Sequence, residues 1–189
     1  MRFALPLLLL SLTTVLTAQR YPVRIGERWG LIDRSGAVVC DPSFALDGDL
    51  DDVCFAEGRC AARVQGAGGL VGFVDEAGAF AVEPAFADAQ AYAAGLAAVQ
   101  LPGRATWGYV DADGQVAIEA RFDEVNAFSN GLAAVRRGAW WSWIDRAGDE
   151  LPTERYDLIG DFDGMLAWAL RDERWRYVDR EGREVWREA

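Results

Sequence analysis

The sequence contains no histidine and, since all of its basic residues are arginines, no lysine. Histidine is the commonest general base and lysine forms Schiff bases, so most base-catalysed and Schiff-base chemistry is excluded. A nucleophilic cysteine would also lack its usual histidine partner. The 30 aspartates and glutamates leave open one enzymatic class, hydrolysis that uses carboxylates alone.

Cysteine is scarce, and the three cysteines, Cys40, Cys54 and Cys60, lie near one another. In an exported protein one disulfide is expected, and we favour Cys54 with Cys60 because this pair would close a short loop. The odd number leaves one thiol over, which we expect to be buried as a small apolar side chain.

Positive charge is also in deficit, because 19 arginines accompany 30 acidic residues and the net charge is −11 at pH 7. An acidic chain without basic clusters repels phosphate backbones, so nucleic acid is not expected as a partner. Residues 47–52 place carboxylates at alternate positions, like the start of a calcium loop. They lack the glycine at the sixth position and the glutamate at the twelfth, so we interpret them as a solvated acidic loop. Neither a metal nor a cofactor is predicted.

Long apolar runs are confined to the N-terminus. Met1 and Arg2 give a positive start, residues 3–10 are apolar except for Pro6, and Ala18 is small enough to precede a cleavage site. This pattern predicts a signal peptide over residues 1–18 rather than a membrane span, with a short uncleaved anchor as the alternative. The mature domain would then be residues 19–189, exported to the periplasm or the cell exterior and without a membrane span.

Internal repetition dominates what is present. Five aspartates follow one another at spacings of 42, 36, 34 and 34 residues, and each precedes a glycine by three positions. A tryptophan stands four residues before the aspartate in four copies, and a glycine follows that position in three. The repeat positions are Trp29, Gly30, Asp33 and Gly36; Gly72, Asp75 and Gly78; Trp107, Gly108, Asp111 and Gly114; Trp141, Asp145 and Gly148; and Trp175, Asp179 and Gly182.

The third copy indicates the local structure of a unit. Apolar and polar side chains alternate through residues 116–123, which is typical of a strand with one buried face. Residues 107–110 are aromatic and β-branched, as strands prefer, and residues 111–114 have turn composition. A second turn at residues 137–139 joins a further strand to Trp141. The unit is therefore predicted to be a three-stranded antiparallel meander.

The phase of the repeat gives five whole units, at about residues 23–45, 55–87, 95–123, 131–157 and 164–187. One such unit cannot bury its face alone, so neighbouring units must pack on one another. We predict an all-β fold of tandem three-stranded hairpin repeats in an open or partly curved array. The similar unit lengths also allow propeller-like closure, although propeller blades usually have four strands.

Residues 28–36, 107–114 and 128–135 resemble the WG, or KWG, repeat of bacterial exported proteins. The resemblance implies a β-rich repeat domain and no reaction, because the family has no agreed catalytic residues. The chain departs from the pattern where Val71 replaces the tryptophan, and where Ser142 and Arg176 replace the glycine that follows it.

Three functions follow from these observations. The recurrence of the aspartates is explained by turn hydrogen bonds, so we expect no enzyme but an exported binding or scaffold module with an unknown protein or glycan partner. A glycan-binding module would instead use tryptophans outside the repeat column, Trp140, Trp168 and Trp186, exposed beside a groove. A carboxylate-dependent hydrolase would need two acidic side chains about 5–9.5 Å apart across a cleft.

Overall fold

The computed structural model describes residues 20–26, 28–44, 55–63 and 69–188. The predicted signal peptide, Cys54 and the acidic loop at residues 47–52 lie outside these ranges. Within them the ordered elements are β-strands, and none of the described residues belongs to a helix that could cross a membrane.

The described strands form five small antiparallel sheets, one for each predicted unit, which confirms the all-β repeat fold. The first sheet contains β1 (Arg20–Ile25), β2 (Arg28–Asp33) and β3 (Val38–Phe44), and the second contains β4 (Arg59–Arg63), β5 (Val71–Asp75) and β6 (Phe80–Phe86). The third contains β7 (Asp88–Ala89), β8 (Ala97–Gln100), β9 (Trp107–Val110) and β10 (Val116–Phe122), and the fourth contains β11 (Glu124–Val125), β12 (Leu132–Arg137) and β13 (Trp140–Asp145). The fifth contains β14 (Leu158–Ile159), β15 (Leu166–Arg171), β16 (Arg174–Asp179) and β17 (Glu184–Arg187).

The units differ from the predicted three-stranded meander in one respect. The two-residue strands β7, β11 and β14 pair with the following strands, so the third and fifth sheets have four strands. In the fourth sheet the segment after the turn forms no strand, and it joins β13 through isolated bridges at Trp141 with Tyr156 and at Ile144 with Glu150 and through the N–H of Leu151, which donates to the carbonyl of Trp143. Two-residue strands are too short to show an alternating pattern, which is why the sequence does not predict them.

Each repeat aspartate stabilises its own turn. Its Oδ1 accepts hydrogen bonds of 2.8–3.1 Å from the N–H groups two and four residues later, in all five units. The glycine three residues after it has a φ of 76–87°, which side chains rarely tolerate. The Asp-x-x-Gly pattern is therefore explained by turn geometry.

The glycine after the repeat tryptophan allows two backbones to approach closely. The register between β5 and β6 shifts between the pair Val71–Phe86 and the pair Phe73–Val82, so that Gly72 faces a bulge. A Cβ at Gly72 would lie 2.6 Å from the carbonyl oxygen of Val82, and one at Gly108 would lie 2.5 Å from that of Ile118. A side chain at this position therefore requires the neighbouring segment to stand farther away.

The core lies between successive sheets. Each sheet has two faces. The forward face carries the side chain two positions before the repeat aspartate, and the backward face is the opposite one. Tyr109 on the forward face of the third sheet packs with Ala133, Val135 and Ile144 on the backward face of the fourth. The same arrangement recurs for Leu31 with Cys60, Ala62 and Val74, for Phe73 with Ala97, Val99 and Val110, and for Trp143 with Ala167, Ala169 and Val178. Each forward face is thus covered by the next backward face.

The buried polar tips of these aromatic side chains have partners. The hydroxyl of Tyr109 donates to the carbonyl of Asn126 at 2.8 Å, and the indole N–H of Trp143 donates to that of Gly160 at 3.0 Å. Burial raises the pKa of the Tyr109 phenol above its ordinary value, with a smaller contribution from Asp161. The neutral phenol is therefore the form that fits this interface.

Both ends of the described array are open. Tyr177 on the forward face of the fifth sheet is 44% exposed, whereas Leu31, Phe73, Tyr109 and Trp143 at the same position are 0–1% exposed. On the backward face of the first sheet, Tyr21 and its neighbour Ile25 are exposed as well. An open array, as predicted, is the arrangement consistent with these two faces.

The close approach at Gly108 gives a stability prediction. Gly108→Ala should lower the free energy of unfolding by about 1–3 kcal/mol, because the new methyl group overlaps the bulged backbone at Ile118 and Ala120. Ser142→Ala is the matched control, since Ser142 already carries a Cβ at the same place and should lose under about 1 kcal/mol. Urea denaturation would measure both, and equal losses in the two variants would contradict the steric argument.

The turn at Asp179 gives a pH prediction. Burial raises the pKa of this carboxyl, but hydrogen bonds from the backbone and guanidinium of Arg183 more than offset that effect and hold the pKa below its ordinary value. The stabilisation is therefore fully present above about pH 4, the unfolded-state pKa, and is lost as the pH falls through the lower folded-state pKa. Asp179→Asn should be destabilised at pH 7, and its difference from the parent should shrink in acid. A pH-independent difference, measured by urea denaturation with Asp113→Asn as control, would contradict this assignment.

Candidate functional site

The repeat aspartates do not come together. One lies on the turn of each sheet and is engaged by its own backbone. They therefore do not supply the facing pair of carboxylates that a hydrolase of the predicted kind would need. Among the described residues, no group of three or more cysteine, aspartate or glutamate side chains is placed to hold a metal ion.

The candidate disulfide falls partly outside the described residues, because Cys54 is not among them. Cys60 is buried at 4% exposure, next to Ala62 and Val74, and its thiol lies 3.5 Å from the carbonyl oxygen of Ala61. The pairing of Cys54 with Cys60 stays a prediction.

The three candidate binding tryptophans are all exposed, but they lie in two places. Trp168 and Trp186 belong to the fifth sheet, and Trp140 begins β13 in the fourth sheet. The repeat tryptophans also differ, because Trp29 is buried and Trp107 and Trp141 are partly buried, whereas Trp175 is 47% exposed. Trp175 is exposed because no following sheet covers it among the described residues.

Four aromatic side chains share the forward face of the fifth sheet. Trp168 on β15 is directly opposite Tyr177 on β16, which in turn is directly opposite Trp186 on β17. Residues directly opposite each other lie on the same face, and so does Trp175, two positions before Tyr177. The ring centroids are 5.5 Å apart for Trp168 and Trp175, and 6.0 Å apart for Tyr177 and Trp186. We call these four residues the aromatic face.

This face departs from the repeat at two positions. The residue opposite the forward aromatic side chain is Ala61, Ala98 or Ala134 in the second, third and fourth sheets, but Trp168 in the fifth. The residue on the other side is Val82 or Ile118 in the second and third sheets, but Trp186 in the fifth. The indole of Trp168 lies against Gly160, where a Cβ would be 2.2 Å from its Nε1 atom. Of the sheets compared, only the fifth therefore carries large aromatic side chains at these two positions.

Polar groups lie at both ends of the aromatic face. At one end the Glu188 carboxylate accepts a hydrogen bond of 3.2 Å from the backbone N–H of Trp175. At the other end Arg183 Nε is 2.8 Å from the Asp179 carboxylate, and its NH2 group is 3.1 Å from that of Glu181. The face thus combines exposed rings with hydrogen-bonding groups of both signs.

Trp140 lies apart from the aromatic face, at a cavity of about 140 Å³ in the fourth sheet. Trp140 is thus a candidate binding tryptophan from the sequence that is also exposed in the structure, at a second place.

Comparison with known families identifies part of the repeat. Residues 72–103 and 107–139 match the family described as WG containing repeat. These two segments are WG repeats. They span the second and third copies of the motif, which confirms the family resemblance of the sequence. The family match thus covers two repeats of the chain, and the other units share with them the turn built on an aspartate and a glycine.

One solved structure shows a similar fold at low sequence identity. A structure titled "Crystal structure of the eukaryotic initiation factor" aligns with a TM-score of 0.60 and 14% identity, over 91% of this chain and 52% of that one. This chain thus spans about half the length of that protein, and the likeness concerns the fold alone. A protein of unknown function from Bacteroides caccae aligns with a TM-score of 0.37 and 15% identity, over 90% of this chain and 73% of that one. No curated protein matches the chain.

Proposed function

We propose that this protein, which contains two WG repeats, is an exported, non-enzymatic binding module that holds neutral saccharide chains on its aromatic face. The observation that carries the proposal is the joint exposure of Trp168, Trp175, Tyr177 and Trp186 on one sheet face, by 38–52%. Soluble proteins rarely expose a contiguous aromatic patch, and such a patch marks a binding surface.

The shape of the face favours sugar rings. A pyranose ring presents C–H groups on one side, and these pack on the electron-rich face of an indole or phenol ring. Neighbouring strands lie about 4.8 Å apart, so aromatic rings on three successive strands form a row that suits linked sugars better than a single one. The carboxylate of Glu188 and the Arg183–Asp179 pair at its ends are suited to bind hydroxyl groups.

A further repeat is a poor fit for the same face. In the interior of the array, each forward face receives the next sheet beside a small side chain, such as Ala98 or Ala134. Trp168 occupies that place in the fifth sheet, so the spacing used inside the array is not available there. The net charge of −11 also disfavours polyanionic chains on this end, and neutral chains are the class proposed.

A scaffold function is the second candidate, because both end faces are exposed. The forward face of the fifth sheet and the backward face of the first could join copies of the chain head to tail. Such self-association would depend on Tyr21 and Ile25 of the first sheet as well as on the aromatic face.

Two substitutions test the saccharide proposal. Trp168→Ala and Trp186→Val introduce the residues that the repeat itself carries at these positions, so the fold accommodates them. Each should weaken retention on immobilised neutral polysaccharides, and binding of matching hexasaccharides by calorimetry, by about tenfold, because the stacked ring is lost. Trp140→Thr is the matched control, as an exposed tryptophan on another sheet replaced by the residue at position 106 of the third unit.

The outcomes separate the two functions. Loss of saccharide binding in the fifth-sheet variants, with the control unchanged, supports the proposal. Unchanged binding in the double variant overturns it. If the parent chain binds no polysaccharide of the panel but sediments as an oligomer that Trp168→Ala and Tyr21→Ala both dissociate, the scaffold function takes its place.

A further inference from the structure

The cavity beside Trp140 has a counterpart in the third sheet, and the two differ greatly in size. The fourth-sheet cavity measures about 140 Å³ and is lined by Arg137, Trp140, Trp141, Ser142, Glu150 and Arg155. The corresponding cleft of the third sheet, beside Gly108 and Ala120, measures about 10 Å³. The same repeat position is therefore closed in one unit and open in the next.

Ser142 accounts for the opening. It stands at the position of Gly108, where a Cβ would meet the opposite backbone at 2.5–2.9 Å. In the fourth unit the segment after the turn pairs with β13 at Glu150, Leu151 and Tyr156, and among the described residues no pair corresponds to Tyr109 with Ile118 in the third. A Cβ at position 142 accounts for this difference, since the closed arrangement leaves no room for it. The cavity lies at this place, between Ser142 and Arg155.

The lining of the cavity also changes character between the two units. Leu101 and Val116 line the third-sheet cleft, whereas Arg137 and Glu150 occupy the corresponding positions of the fourth. The guanidinium of Arg137 is 3.5 Å from Glu150, a long and exposed ion pair that holds neither group tightly. The cavity is therefore polar where its counterpart is apolar.

Arg155 does not make the contacts that its counterpart in the third unit makes. Arg121, at the same position in the third unit, donates to the carbonyl of Gly148 at 2.6 Å and lies over the ring of Phe122. Arg155 lines the cavity instead, and it has no ion pair or hydrogen bond within the described ranges 20–26, 28–44, 55–63 and 69–188. In a chain with an excess of carboxylates, a guanidinium in a cavity without a partner is suited to an acidic ligand.

We propose that this cavity binds a hexuronic acid residue, a sugar that carries one carboxylate. Arg155 and Arg137 face the carboxylate with planar forks of donors, which match its geometry. The indole of Trp140, 42% exposed at the cavity, packs against the sugar ring. Glu150 and Ser142 accept hydrogen bonds from ring hydroxyls, which gives the acidic residue Glu150 a role in an anion site. This site is separate from the aromatic face, so it stands without the proposed function.

The test uses glucuronate and galacturonate as probes of the purified chain, with glucose and acetate for comparison. Arg155→Gln and Trp140→Thr should each weaken uronate binding by about tenfold, measured by calorimetry and by tryptophan fluorescence. Arg174→Gln, an exposed arginine of the fifth sheet, is the matched control and should bind as the parent does. Near-ultraviolet circular dichroism checks that each variant keeps its packing.

The results distinguish this site from the aromatic face. Saturable uronate binding that Arg155→Gln reduces and Trp168→Ala leaves intact supports the inference. Equal binding of glucose, or binding of acetate as tight as that of uronate, overturns it, and so does unchanged uronate affinity in Arg155→Gln. Loss of neutral-polysaccharide retention in Trp168→Ala bears on the aromatic face alone.

Discussion

The arrangement of this protein depends on the approach of two backbones beside the glycine that follows the repeat tryptophan. At Gly72 and Gly108 a Cβ would lie only 2.5–3.0 Å from the backbone of the bulged partner strand. The glycine thus lets the unit close with five residues of one strand facing three of the other. Where a side chain occupies the position, the strand pair changes. Ser142 stands beside an open cavity, and Arg176 pairs in regular register with Arg187 on β17. The units thus differ in strand pairing where another residue replaces this glycine.

Packing between the sheets follows from the closed unit. A large forward side chain, such as Tyr109 or Trp143, meets small and branched residues on the next backward face. The polar tip of each aromatic residue reaches a backbone carbonyl of the next unit, so the interface is specific as well as apolar. The fifth forward face breaks this rule, because it carries Trp168 where Ala98 and Ala134 stand in the interior. Because the aromatic face differs from the interior forward faces and is exposed, it is better suited to a ligand than to another sheet.

Much of the fold can be predicted from the sequence because its rules are local. The spacing of Asp111 and Gly114 specifies a turn, and the alternation through residues 116–122 specifies a strand with one buried face. The two-residue strands β7 and β11 leave no such pattern, since they are held only by pairing with the strands that follow. Trp175 is exposed because no sheet covers it among the described residues. The repeat motif does not indicate whether a given unit is covered by another.

The candidate site was only partly predictable. Trp140, Trp168 and Trp186 stand out because they lie off the repeat column, and all three are exposed. The cavity requires knowledge of register, because Arg137 corresponds to Leu101 only through the pairing of β12 with β13 and of β8 with β9. The turns that follow Leu101 and Arg137 differ in length, so a constant spacing in the sequence misaligns these two residues. Ser142 was visible as a departure from glycine, but its consequence appears only once the partner backbone is placed.

We attribute the opening of the fourth unit for binding to Ser142, which stands in place of the repeat glycine. The affinity of Ser142→Gly for glucuronate, measured by calorimetry, tests this claim most directly. We expect that restoring the glycine lets residues 152–155 close onto β13 and weakens uronate binding by about tenfold, while the chain stays folded. Unchanged affinity in a folded Ser142→Gly variant would contradict it.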